Sequence, residues 1–371
     1  MTLALILVFA LGIAIAYANG ANDVSKGIAT LVGSGVTSYR RALAWGTLWT
    51  GVGGIAGAFL ARAMVQTFGK GLLTPGAQAT VTAAVATIAG AALWVGLATR
   101  KGLPVSTTHA IIGSIAGVAS VAYGFAGVNW GAFGGKIVLP LLLSPLASLL
   151  LTSLVLRLWK AFAPDPAADC VCLEMVRRAP ALAAGTMDAS LGGLPNFHLA
   201  TCVAHGNTQT GVTLNRLHWL TSGAASFSRG LNDAPKMAAL MLGAAALSGT
   251  ALNLSFASFL AITAGMLAGS WLAGQRVTGV LATQVTPMDH HEGFVANLVT
   301  AALVGPGAAL GLPMSTTHVS SGAILGVAAG RGGEANRKTI REMLAAWVVT
   351  LPAAALLGVA AFVTLRSLGL R

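Results

Sequence analysis

Apolar positions run along this chain in long blocks, not in the alternation of half-buried strands or the one-sided stripes of water-facing helices. The clearest blocks lie near 2–18, 42–61, 79–99, 137–159, 251–274, 294–310 and 343–366. About 20 mostly apolar residues suffice for a helix to cross a bilayer core, where it satisfies its own backbone hydrogen bonds. Shorter apolar pieces near 24–36, 109–127, 217–228, 234–249 and 319–329 complete the set. The pattern predicts an all-α polytopic membrane protein.

The polar interruptions come in pairs. Residues 19–26 read Asn19-Gly20-Ala21-Asn22-Asp23-Val24-Ser25-Lys26, and residues 229–236 read Arg229-Gly230-Leu231-Asn232-Asp233-Ala234-Pro235-Lys236. Leu103-Pro104-Val105-Ser106-Thr107-Thr108-His109 recurs as Leu312-Pro313-Met314-Ser315-Thr316-Thr317-His318. The offsets, 210 and 209 residues, are nearly constant, which marks a duplicated unit. The division predicts a first transmembrane repeat over 1–160, a second over 213–371, and an extramembrane linker insert of mixed polarity over 161–212. Val138-Leu139-Pro140 pairs with Thr350-Leu351-Pro352 in this reading. Two weakly similar halves are the sequence mark of secondary transporters, whose site lies between the repeats near the membrane midplane.

Composition sharpens this picture. Of 371 residues, 55% are hydrophobic and 9% charged, and the mean hydropathy is +0.78. Soluble domains carry roughly a quarter charged residues. The net charge of +12 does not form a nucleic-acid patch. Its cations sit at segment ends, at Arg40-Arg41, Arg62, Lys70, Arg100-Lys101, Arg157, Lys160 and Arg276, where they anchor helices against head groups. The expected location is the cell membrane. Ala16-Tyr17-Ala18 has the form of a signal-peptide cleavage site, but no Lys or Arg precedes Lys26 and cleavage would cut into the first motif.

Only ten residues are acidic, and eight of them fall in the insert or in polar connections. Asp23 and Asp233 remain, one per unit, each after an Asn and each entering an apolar segment. A carboxylate at the middle of a membrane helix costs on the order of 3 kcal/mol, so a pair of them points to ion coordination. Helix N-capping is the plain alternative, but it does not require Asn-Asp in both units. Gly20, Gly27, Gly33, Gly35, Gly230 and Pro235 fit helices broken near these motifs, with small-residue packing as the alternative. Lys26 and Lys236, three residues after each Asp, either neutralise it, contact an anionic substrate, or snorkel to the interface.

In the other motif, proline stops one helix and the hydroxyl run starts the next. A helix N-terminus offers unpaired amides and the positive dipole end, which suit phosphate. Hydroxyls bonding back to their own backbone are the alternative. His109 and His318 are candidate proton carriers or packing residues. In the insert, Cys170, Cys172, Cys202, His198 and His205 are metal-ligand types. Their Cys-x-Cys spacing departs from the usual gap, so free thiols or one disulfide are expected, and no metal.

These motifs resemble the inorganic phosphate transporter (PiT) family, whose paired signatures carry a Gly-x-Asn-Asp core and a Pro-x-Ser-Thr-Thr-His run. The likeness covers nearly the whole chain apart from the insert. It implies inverted repeats with broken or re-entrant helices around a central site, phosphate at the repeat interface, and coupling to sodium or protons. Asn22, Asp23, Asn232 and Asp233 would then serve the coupling ion, the two asparagines also touching substrate. Ser106, Thr107, Thr108, Ser315, Thr316 and Thr317 would cradle phosphate, with Lys26 and Lys236 beside them. The chain departs from many members at Val24-Ser25-Lys26-Gly27, where Val-Ala-Asn-Ala is common.

The sequence-based expectation is thus a secondary transporter importing phosphate by proton or sodium symport, without a cofactor, in contact with lipid and able to pair as a homodimer. A sulfate or other oxyanion permease is the nearest alternative. An anion channel, or an intramembrane enzyme using Asp23 and Asp233 as a carboxylate pair, is further off.

Overall fold

The computed structural model describes residues 3–70, 72–74, 77, 79–162, 170–175, 195–200, 210–247 and 255–370. The first half contains α1 (Leu3–Asp23), α2 (Ser25–Gly33), α3 (Tyr39–Leu60), α4 (Arg62–Lys70), α5 (Val81–Arg100) and α6 (Thr107–Tyr123). A single turn, α7 (Trp130–Ala132), then runs through a π-helical stretch into α8 (Leu139–Phe162). The second half contains α9 (Leu214–Leu247), α10 (Ser255–Ala273), α11 (Gln275–Gly279), α12 (His290–Ala309), α13 (Thr316–Gly330) and α14 (Arg337–Ser367). Among the described residues, six helical segments are long and apolar enough to cross a bilayer: Leu5–Gly33, Tyr39–Leu60, Val81–Arg100, Trp130–Ala161, Phe256–Ala273 and Arg337–Ser367.

The insert adds a feature that its mixed composition did not announce. Strands β1 (Cys170–Met175), β2 (Pro195–Ala200) and β3 (Thr210–Thr213) form a small antiparallel sheet in the order β2-β1-β3. Cys172 pairs with His198 in the β1–β2 register, while Cys202 and His205 lie outside the described residues.

The helices are exchanged between halves. α1 packs on α10 and α9 on α3; α6 packs on α14 and α13 on α8. Glycines make each crossing possible. A methyl group on Gly20 of α1 would strike the Met266 carbonyl of α10, and one on Gly230 of α9 would strike the Thr50 carbonyl of α3. Gly113 lies in the same way on Leu351, and Gly322 on Pro145. Such small-residue contacts let backbones approach closely where lipid supplies no hydrophobic drive.

The breaks near the Asn-Asp motifs are slighter than the glycines led one to expect. α1 passes to α2 through Val24 alone, whose backbone stays helical at φ −56° and ψ −33°. α9 runs for 34 residues straight through Asp233 and Pro235. The ring of Pro235 lies against Gly57 of α3, whose lack of a side chain leaves room for it. The real discontinuities are the two Leu-Pro linkers. Ahead of each, a glycine with φ 73°, Gly102 or Gly311, ends the helix. Leu103 N–H then bonds Ala98 O at 3.0 Å and Leu312 N–H bonds Gly307 O at 2.9 Å. This six-to-one closure is the Schellman pattern, and the left-handed backbone it needs favours glycine.

Candidate functional site

Ser106 and Ser315 are the N-caps of α6 and α13. Each hydroxyl accepts a backbone bond, from His109 N–H at 3.1 Å and from His318 N–H at 3.2 Å. The two helix starts then meet: the Ser315 hydroxyl donates to Ser106 Oγ at 2.8 Å. His109 Nδ1 lies 2.8 Å from Ser106 Oγ, and His318 Nδ1 lies 2.6 Å from Ser315 Oγ. A continuous buried chain, His109-Ser106-Ser315-His318, thus crosses between the halves. The two imidazoles also lie against each other at a tilt, centroids 4.3 Å apart, and the Trp347 ring lies tilted against His318 at 4.0 Å.

Two helix N-termini placed together bring two positive dipole ends into one buried region. The Asp23 carboxylate lies there to offset them. Its Oδ2 accepts from Asn19 Nδ2 at 2.7 Å and from the Thr107 hydroxyl at 3.3 Å. Its Oδ1 faces the Thr317 hydroxyl at 3.4 Å and Lys26 Nζ at 2.9 Å. Asp233 is held less tightly, by Asn232 Nδ2 at 2.8 Å, Asn19 Nδ2 at 3.1 Å and Lys236 Nζ at 3.5 Å. Thr316 is buried at the same helix start. All the motif residues expected at the site are buried.

The two asparagines of the motifs do different work. Asn22 is saturated: its amide nitrogen bonds Thr99 Oγ1 and Leu103 O, each at 2.9 Å. Its oxygen accepts from Val105 N–H at 3.2 Å and Lys26 Nζ at 2.8 Å. Asn22 therefore fastens α1 to the first Leu-Pro linker. Asn232 reaches the second linker only through its nitrogen, at Met314 O, 2.9 Å. Its oxygen has no partner among the described residues. Thr99, which engages Asn22, has Ala308 at the equivalent place, so the second copy lacks that tie.

Lys236 bridges the halves, with Nζ 2.8 Å from Thr108 Oγ1 and 2.9 Å from Met314 O. Both lysines are buried and turned inward, so neither snorkels. Nor do the Asn-Asp pairs cap helices: the N-cap of α2 is Val24, and α9 passes through Asn232-Asp233 without interruption.

Two residues of this cluster went unassigned on sequence grounds, Asn19 and Arg229. Each stands four residues before its Asp, one helical turn away on the same face. That shared position was the available signal. Asn19 joins both carboxylates and Thr107 Oγ1 at 3.1 Å. Arg229 is 1% exposed.

Outside the buried core, Asp289 caps α12 in a capping box with Glu292. Arg331, just past α13, grips Glu292 through Nε at 2.7 and 2.8 Å. That hydrogen bond raises the Arg331 pKa above its ordinary value.

A model of the phosphate transporter family matches residues 19–358. A protein named as a phosphate permease, from Thermococcus kodakarensis, is 29% identical over 98% of both chains. One named as a low-affinity inorganic phosphate transporter, from Mycobacterium tuberculosis, is 26% identical over 95% of this chain and 76% of that one. Among solved structures, "The sodium-dependent phosphate transporter" has the same fold. Its TM-score is 0.78 at 23% identity, covering 98% of this chain and 99% of that one. Residues 19–358 take in both copies of both motifs, and this chain belongs to the phosphate transporter family, as a multi-pass protein of the cell membrane and not an enzyme.

Proposed function

We propose that the protein imports inorganic phosphate by cation symport, with the duplicated motifs as its substrate and coupling site. One observation carries the reading: both copies of both motifs meet at a single buried point, where Asn19 joins Asp23 to Asp233 and Ser315 touches Ser106. Residues 1–160 and 213–371 would rock about that point as inverted repeats, the insert 161–212 joining them outside the membrane.

Within symport, the lysines favour protons. A coupling cation at Asp23 would compete with Lys26, already 2.9 Å away. Protonation of Asp233, the more loosely held carboxylate, would instead release Lys236, which stands at the start of α6 beside Thr108. The freed ammonium and the amides of the α6 and α13 starts would then receive the anion. A proton and a monoanion would cross together without net charge. The sodium alternative is supported by the name of the structural neighbour.

The test is uptake of labelled phosphate into proteoliposomes under a pH gradient or a sodium gradient imposed separately, with excess sulfate as competitor. Accumulation driven by either gradient and resistant to sulfate supports the reading and names the ion. Sulfate accumulation without phosphate uptake would move the site to another oxyanion, and uptake indifferent to both gradients would make the protein a channel.

A further inference from the structure

The buried charges of the site do not balance. Lys26 pairs with Asp23 at 2.9 Å and Lys236 with Asp233 at 3.5 Å. Arg229 is left over. It lies on the face of α9 that carries Asn232, Asp233 and Lys236, at spacings of three, four and seven residues. One turn before it, Ser226 packs on Gly27 of α2; one turn after it, Asp233 bonds Asn19 of α1. Arg229 is therefore enclosed where α9 meets the α1–α2 junction, within electrostatic reach of both carboxylates.

Its guanidinium offers five donors in a planar fork. Yet Nε, Nη1 and Nη2 have no hydrogen-bond partner among the described residues. A buried cation in that condition is costly unless something pairs with it. Two buried acceptors are in the same condition, Asn19 Oδ1 and Asn232 Oδ1. Their amide orientations are fixed, because each nitrogen already donates to carboxylate or carbonyl oxygens. Asn19 and Asn232 both bond Asp233 through their nitrogens, and Arg229 stands one helical turn before it on α9.

Resting on the transport reading above, we propose that Arg229, Asn19 and Asn232 complete the oxyanion seat beside the α6 and α13 starts, which Asn19 reaches at Thr107 and Asn232 at Met314, and that these three groups make it select a protonated oxyanion. Arg229 takes two oxygens of the anion through its fork, as guanidinium does with phosphate elsewhere. The two amide oxygens accept from hydroxyl groups on the same anion. Dihydrogen phosphate carries both acceptor oxygens and hydroxyl donors, and its single negative charge neutralises the surplus cation. Sulfate carries no proton near neutral pH, so it would leave both amide oxygens unpaired. Rejection of a ligand that lacks a required hydrogen-bonding group is strong, because the buried partners lose their only mates.

The experiment uses the full chain and inorganic phosphate as the probe, following both uptake and the thermal shift of the purified protein. In wild type, phosphate should raise the melting temperature and an equal concentration of sulfate should not. Arg229→Gln should lose that shift while the ligand-free protein melts no lower than wild type, since an unpaired buried charge has gone. Its KM for phosphate should rise about tenfold or more, the equivalent of one charge-assisted hydrogen bond. If the Gln variant does not fold, Arg229→Lys keeps the charge and loses the fork, and a weaker thermal shift is again expected.

A wild-type phosphate shift retained in full by Arg229→Gln or Arg229→Lys would overturn the seat. So would a wild-type protein that phosphate does not stabilise, or one stabilised equally by sulfate. Stabilisation that depends on Arg229 without any phosphate uptake would uphold the seat and sink the transport reading instead.

Discussion

The Ser315 hydroxyl donates to Ser106 Oγ across 2.8 Å, joining two helix starts that lie 209 residues apart in the chain. Each serine caps its own helix, so one side chain sets both the local fold and the contact between halves. Ser315→Ala removes the cap and that contact together. The expected loss is about 1–2 kcal/mol of stability, read by denaturation in detergent, with uptake falling well beyond what the stability loss explains. Uptake at the wild-type rate would show that the serine contact serves structure alone.

Asp23 compensates two converging helix dipoles and the Lys26 ammonium. Asp23→Asn keeps the shape but leaves Lys26 charged and unpaired, a change that typically costs 3–5 kcal/mol for a buried ion pair. The double variant Asp23→Asn, Lys26→Met should recover much of that stability and still fail to concentrate phosphate. Thermal melts and gradient-driven uptake separate the two effects.

Lys236 touches the start of α6 and the second Leu-Pro linker at once. Lys236→Met should therefore raise the KM for phosphate and weaken its dependence on a pH gradient, because Asp233 no longer releases an ammonium when protonated. Uptake kinetics at a series of imposed gradients would check this; an unchanged gradient dependence would remove Lys236 from the coupling step.

Gly20→Ala and Gly230→Ala place a methyl group against a neighbouring backbone. Overpacking of this kind costs about 1–3 kcal/mol. Gly243→Ala, also in α9, meets nothing within 4 Å and should be neutral or slightly stabilising. The three variants, compared by yield and melting temperature in one detergent, isolate the crossings from helix propensity.

Much of this was legible in the chain itself. Leu-Pro followed by Ser-Thr-Thr marks a helix stop and a capped start because proline and serine act locally. The duplication followed from spacing alone. What was not legible depends on partners. Apolar helices of this chain carry little one-sidedness, so nothing in the sequence of α1 says that it lies on α10 and not on α3. Pro235 promised a break, yet α9 runs on through it with the ring seated on Gly57, a residue far away in sequence. Arg229 passed as one more basic residue because its lack of a partner is a property of the folded neighbourhood.

The exchange of helices between halves has a consequence for how the chain comes into being. When residues 1–160 leave the ribosome, α3, α6 and α8 have yet to meet α9, α14 and α13, the helices they finally rest on. The first half must wait in the bilayer with its glycine notches open to lipid. Synthesis of the second half closes both at once, as two hands clasp. A gene cut within the insert should therefore give two pieces that work when made together and are degraded when made alone.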